Sequence, residues 1–147
     1  MDSTRFSQPS PIERLSNRLF GLLVGWGIGL PHNYLLQVKG RKSGRVYSTP
    51  VNVLDYKGNR LLVAPRGETQ WVRNARVSGQ VWLKRGRSRQ RFKLRALDDR
   101  EKPDVLREYL SRYKLAVQRC FPLPPDARLE AFSDNAAQYP VFEFLPQ

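Results

Sequence analysis

The chain predicts an α+β domain, mainly β, in which hairpin-joined strands form a barrel or curled sheet and helices pack around it. Three observations carry this expectation. Between Tyr34 and Leu97, β-forming residues come in five runs separated by glycine-containing turns. Apolar spacing switches to three and four residues near the N-terminus, after Thr69 and after Asp98. At 147 residues the chain suits one domain with a core that needs neither disulfides nor metals.

Residues 1–11, with Ser, Thr and two prolines, are expected to be a flexible arm, and 12–147 the single folded domain. Ser10, Pro11 and Glu13 read as the N-cap, first and third positions of a helix. Ile12, Leu15, Leu19, Leu22, Leu23 and Trp26 would form its apolar face, and Glu13, Arg14, Asn17 and Arg18 its polar face. The expected strands are Tyr34–Val38, Val46–Tyr56, Arg60–Ala64, Gln80–Arg85 and Arg89–Leu97, with turns at Gly40–Gly44, Lys57–Asn59 and Arg85–Arg87. In the last of these, Arg89, Arg91, Lys93 and Arg95 alternate with Gln90, Phe92, Leu94 and Ala96, which makes one face basic. A short helix is expected over Thr69–Val77 with Gly79 as its stop. A longer one follows over Asp98–Arg119, starting within Asp99–Lys102 because Pro103 belongs in a first turn. After the Phe121–Pro125 loop, Tyr139–Leu145 reads as a closing strand.

Charge narrows the partners. Twenty-six Lys and Arg against 13 Asp and Glu give a net charge of +13 and a pI of about 10.6, suited to phosphates, acidic cofactors, nucleic acid or anionic lipid. One cysteine, Cys120, rules out an intramolecular disulfide. With His32 as the one histidine, Cys/His zinc sites would need carboxylates or a second chain. Neither residue sits in a nucleophile or base signature, and a reducing, cytoplasmic setting is the natural expectation. The longest apolar run, Leu19–Leu30, has 12 residues with four glycines, short of the roughly 20 that cross a bilayer. It also lacks the cleavage site of a signal peptide.

Gly40-Arg41-Lys42-Ser43-Gly44-Arg45, between two strands, holds what an anion site needs. Its glycines allow a sharp turn and close main-chain approach, two arginines and a lysine bring charge, and Ser43 brings a hydroxyl. A solvated basic hairpin turn is the structural alternative. Ala64-Pro65-Arg66-Gly67, followed by Trp71-Val72-Arg73-Asn74, ends a strand and opens a helix, offering free N–H groups and an aromatic ring. Core packing of Trp71 and solvent exposure of Arg73 are the alternative there.

Taken in order, the G-R-K-S-G turn, Ser48-Thr49-Pro50, Ala64–Gly67 and W-x-x-N resemble the deazaflavin-dependent nitroreductase and quinone reductase family, over about Tyr34–Leu145. That resemblance implies a split β-barrel of the FMN-binding, flavin-reductase type, with an N-terminal amphipathic helix and two further helices. It implies a reductase that takes a hydride from reduced coenzyme F(420), with FMN as the alternative cofactor, and passes it to a quinone, nitroaromatic or other electron-poor acceptor. By the same carry-over Arg41, Lys42, Ser43, Gly44 and Arg45 would hold the coenzyme's phosphate and acidic tail. Thr49 and Pro50 would begin the ring pocket, Ala64, Pro65, Arg66 and Gly67 would lie along the ring, and Trp71 and Asn74 would shape its wall. Tyr113 is the candidate catalytic hydroxyl, with packing of its helix as the alternative. A short turn before Trp71, and Val72 where an aromatic residue often stands, depart from the family pattern at the acceptor pocket.

Because the cofactor carries the hydride, the lack of a triad or metal cluster does not speak against an enzyme. Two other classes stay open: a single-stranded nucleic-acid binder using the basic strand, and a non-catalytic cofactor or lipid carrier. The expected partners are a small-molecule acceptor and, through the N-terminal helix, the membrane surface. No nucleic acid is expected, and a homodimer is left open. Contact of the apolar N-terminal segment with a membrane would favour a quinone acceptor.

Overall fold

The computed structural model describes residues 33–147. The expected arm (1–11), the amphipathic helix that follows it, the Leu19–Leu30 run and His32 lie outside them. Six strands, β1 (Asn33–Lys39), β2 (Val46–Tyr56), β3 (Asn59–Val63), β4 (Gln80–Arg85), β5 (Ser88–Ala96) and β6 (Val141–Pro146), close into an antiparallel barrel in the order β1-β2-β3-β6-β5-β4. Closure leaves no unpaired sheet edge. Each strand lies within about two residues of its expected place. The helices are α1 (Gln70–Ser78), α2 (Pro103–Arg112), α3 (Lys114–Val117) and α4 (Leu129–Asn135).

The chain divides into two compact units. The first comprises residues up to Val53, Thr69–Leu94 and Leu145–Gln147. In it β1 pairs with β2 from Asn33↔Asn52 to Lys39↔Val46, and with β4 from Leu35↔Lys84 to Gln37↔Trp82. β4 pairs with β5 from Gln80↔Lys93 to Arg85↔Ser88. The two-residue alternation of these strands buries Leu36, Val38, Val81, Leu83 and Phe92. Each such side chain stabilises the fold by roughly 1.5–3 kcal/mol relative to exposure. Helix α1 buries Val72 and Ala75 and stops at Gly79, whose φ of 73° lets its N–H reach the Ala75 carbonyl at 2.8 Å.

The second unit comprises Leu54–Glu68 and Arg95–Phe144. Strands β3 and β6 pair from Leu61↔Glu143 to Val63↔Val141. Its core gathers Leu54, Leu61 and Val63 with Leu106, Tyr109, Leu110, Phe121, Phe132 and Val141. Asp98 caps a single 3-10 turn, Asp99–Glu101, in a reciprocal capping box, and Pro103 opens α2 where its missing N–H costs nothing. Lys102, almost fully buried, donates from Nζ to Asp99 at 2.8 Å and to the Ala136 carbonyl at 3.1 Å, tying this turn to the end of α4.

Two expectations need correction. The long helix over Asp98–Arg119 is divided at Tyr113, whose φ of −115° and ψ of 28° leave the helical region. Tyr109, Tyr113 and Val117 keep a four-residue spacing and are all buried, so the apolar pattern runs on across a break marked by neither glycine nor proline. Helix α4 was not expected at all. It buries only Phe132, which is too little for a period to show.

Candidate functional site

The Gly40–Arg45 turn is closed by its own backbone, with Gly40 N–H donating to the Arg45 carbonyl at 2.7 Å and Gly44 N–H to the Gly40 carbonyl at 3.0 Å. Gly44 sits at φ 75°, and a Cβ on Gly40 would stand 2.7 Å from the Tyr47 ring and 3.0 Å from Ser43 Oγ. The glycines are therefore required by conformation at one end and by space at the other. Ser43 Oγ accepts the Arg45 N–H at 3.2 Å and lies 3.2 Å from the Tyr47 hydroxyl, so it shapes the turn.

Helix α1 fixes this turn from the side. Asn74, 7 % exposed, accepts through Oδ1 both the Arg41 main-chain N–H at 3.0 Å and Arg41 Nη1 at 2.8 Å, and Gln70 Oε1 accepts Nη1 at 3.0 Å. Both acceptors are neutral amides. They orient the guanidinium without cancelling its charge, and Lys42 and Arg45 stand exposed with no ion pair to a described residue. Arg41 and Asn74, 33 positions apart, are thus brought together, and Gln70 joins them. Sequence reasoning missed Gln70, since a glutamine in a first helical turn carries no signal of its own.

At the start of the same helix the Thr69 hydroxyl is buried without a hydrogen-bond partner and does not cap. The first turn of α1 also carries no acidic residue. Trp71 is half-buried in that turn. In the same unit Thr49 and Pro50 are partly exposed on β2, opposite Leu36 and Leu35 of β1.

In the second unit, Ala64–Gly67 forms a turn closed by Gly67 N–H to the Ala64 carbonyl at 3.1 Å, with Gly67 at φ 82°. Ala64 is buried, Pro65 partly so, and Arg66 is exposed. Tyr113 lies in the apolar core, its ring 5.3 Å from that of Tyr109, a position that fits a packing role. An open recess of about 560 Å³ in this unit is lined by Tyr56, Lys57, Asp104, Arg107 and Glu130 among others. It contains no residue expected at the site, and its three cations stand beside two carboxylates, Asp104 and Glu130.

A closed six-strand antiparallel barrel with four helices, among the described residues, defines a small split-barrel protein. The chain belongs to the F420H(2)-dependent quinone reductase family, whose model matches residues 16–117. It is accordingly an oxidoreductase that uses the deazaflavin coenzyme F(420). Among solved structures it is similar to an F420-H2-dependent reductase, FDR-A, at 18% identity and a TM-score of 0.53, over 78% of this chain and 94% of that one. A putative pyridoxamine 5'-phosphate oxidase from Listeria innocua gives 8% identity and a TM-score of 0.53, over 90% and 94%. A protein described as a domain-swapped dimer gives 15% identity and a TM-score of 0.53, over 92% and 99%. These likenesses establish the split-barrel fold. No curated protein matches the chain significantly.

The residues present fit the coenzyme. Its phosphate and carboxylates need fixed cations without competing carboxylates, and the turn provides the Arg41 guanidinium, held by neutral partners, beside exposed Lys42 and Arg45.

Proposed function

We propose that the protein catalyses hydride transfer from reduced F(420) to a quinone, with the Gly40–Arg45 turn as the phosphate cradle. The observation that carries this reading is the fixing of Arg41 by Asn74 and Gln70, which presents a charged, pre-oriented guanidinium beside exposed Lys42 and Arg45. Arg41 and Lys42 would hold phosphate oxygens, the arginine through its planar fork and the lysine as a point charge. Ser43 and Gly44 would set the backbone, and Arg45 would attract the acidic tail. Within the same unit Thr49, Pro50 and Trp71 would offer apolar surface to the ring.

When bound, the reduced coenzyme supplies a hydride, and the quinone leaves as the quinol after taking up one further proton from water. The chain's part is to orient ring and acceptor and to exclude water, which is where holding reactants in place gains most. A cytoplasmic setting and assembly as a homodimer belong to the same reading.

The test is turnover of reduced F(420) with a quinone, a nitroaromatic and no acceptor, using coenzyme deuterated at its donor carbon. The reading predicts quinone-dependent oxidation with a primary isotope effect in single turnover. Tight coenzyme binding with no oxidation by any acceptor would favour a non-catalytic carrier.

A further inference from the structure

Charge is divided very unequally between the two units. The described residues of the first, 33–53, 69–94 and 145–147, hold twelve Lys and Arg and no Asp or Glu, whereas the second holds eleven of each sign. Almost the whole net charge of +13 therefore resides in the first unit. Half of those twelve cations, Lys84, Arg85, Arg87, Arg89, Arg91 and Lys93, lie within the β4–β5 hairpin.

Register separates the hairpin tip from the cradle. Leu35 of β1 lies opposite Lys84, and Arg85 Nη1 donates to the Asn33 carbonyl at 3.0 Å, so the tip lies beside the start of β1. The cradle follows the end of β1 at Lys39, about 20 Å away at the usual rise per residue. The tip cations Lys84, Arg85 and Arg87 are thus not part of the phosphate site, whereas Arg91 and Lys93 lie further along β5, toward the end of β1.

The arrangement also carries a cost. Lys84 and Arg89 are directly opposed across the strands, a like-charge pairing that destabilises a sheet unless an anion compensates. Arg87, Arg89 and Arg91 are exposed. We propose that the β4–β5 hairpin is a docking surface for an anionic lipid bilayer. Single-stranded nucleic acid is disfavoured because the hairpin's aromatic neighbours are already covered: the Arg89 guanidinium lies 4.5 Å from the Trp82 ring and that of Arg85 5.7 Å from Tyr34. Neither ring is bare for base stacking. Headgroup phosphates need only dispersed cations. Docking would carry the enzyme to an apolar quinone dissolved in the bilayer; that use rests on the function proposed above, whereas the adsorption itself does not.

The test is co-sedimentation of the full chain with vesicles of phosphatidylcholine alone or mixed with phosphatidylglycerol, at low and high salt. Binding is expected only to the anionic vesicles and is expected to be lost as salt rises. The triple variant Lys84→Gln, Arg87→Gln, Arg89→Gln is expected to bind more weakly by about fivefold per cation, on the order of 100-fold in total. It should keep its circular dichroism spectrum and its affinity for the coenzyme. A control that neutralises Arg100, Lys114 and Arg119 of the second unit removes the same net charge and, because it spares the hairpin, is expected to weaken vesicle binding by less than about tenfold.

Four outcomes would overturn the proposal. Equal binding to uncharged vesicles would assign contact to the Leu19–Leu30 segment. A hairpin variant as good as the parent, or no worse than the control variant, would remove the surface. Release by duplex oligonucleotide at fewer phosphate equivalents than lipid would make nucleic acid the partner. Loss of coenzyme affinity with vesicle binding intact would make the hairpin a seat for the coenzyme's tail.

Discussion

Asn74 has two tasks at once. Its single carbonyl oxygen accepts from the backbone and from the side chain of Arg41, so it fixes both the path of the turn and the aim of the guanidinium. Replacing it with alanine leaves a part-buried N–H without its acceptor, a loss of about 1–3 kcal/mol in stability. Asn74→Asp keeps the geometry but sets a carboxylate against Arg41, cancelling the charge that the amide leaves free. We expect Asn74→Asp to be folded and yet to bind F(420) at least tenfold more weakly; calorimetric titration beside a thermal melt separates the two effects. Equal affinity in the aspartate variant would mean that the charge of Arg41 is not used for binding.

At the scale of elements, Arg95 at the end of β5 joins three segments of the second unit. It forms a two-bond fork with Glu101 at 3.0 and 3.1 Å and donates from Nε to Glu143 at 2.9 Å. The hydrogen bond from Arg95, and then that from the Asp98 backbone, hold the Glu101 carboxyl below its ordinary value of 4.5. A carboxylate whose folded value is depressed contributes stability above its unfolded value, and the contribution is lost as pH falls through the folded one. The melting temperature is therefore expected to be level above about pH 5 and to fall below about pH 4.5, where Glu101 begins to take up a proton in the unfolded chain. In Arg95→Ala, melts across this range should show a shallower fall. An unchanged slope would leave the network without a share in acid stability.

The same scale shows how much of the fold the sequence makes legible. Strand places followed from alternation and from turn glycines, because a half-buried strand and a tight turn each constrain residue type locally. The break at Tyr113 and the helix around Phe132 did not, because both are set by the core that those residues join rather than by anything adjacent in the chain. At the site, the basic turn was legible from its six residues. Its fixing to Gln70 and Asn74 was not, since a bond across 33 positions leaves no local trace.

For the molecule as a whole, the excess charge seen in composition turns out to be confined to the unit that carries the cradle and the β4–β5 hairpin, while the other unit is balanced. Such a field attracts polyanions at long range and is weakened by salt. Among the described residues no helix is long and apolar enough to cross a membrane. Contact with lipid through the hairpin would thus be peripheral and salt-sensitive. The central claim, that the Gly40–Arg45 turn seats the coenzyme, is tested most directly by fluorescence titration of the purified protein with F(420) beside FMN, in parallel with the Arg41→Ala, Lys42→Ala variant. The account predicts saturable F(420) binding, tighter than that of FMN, that is lost in the variant while its fold persists; binding of equal strength in the variant would contradict it.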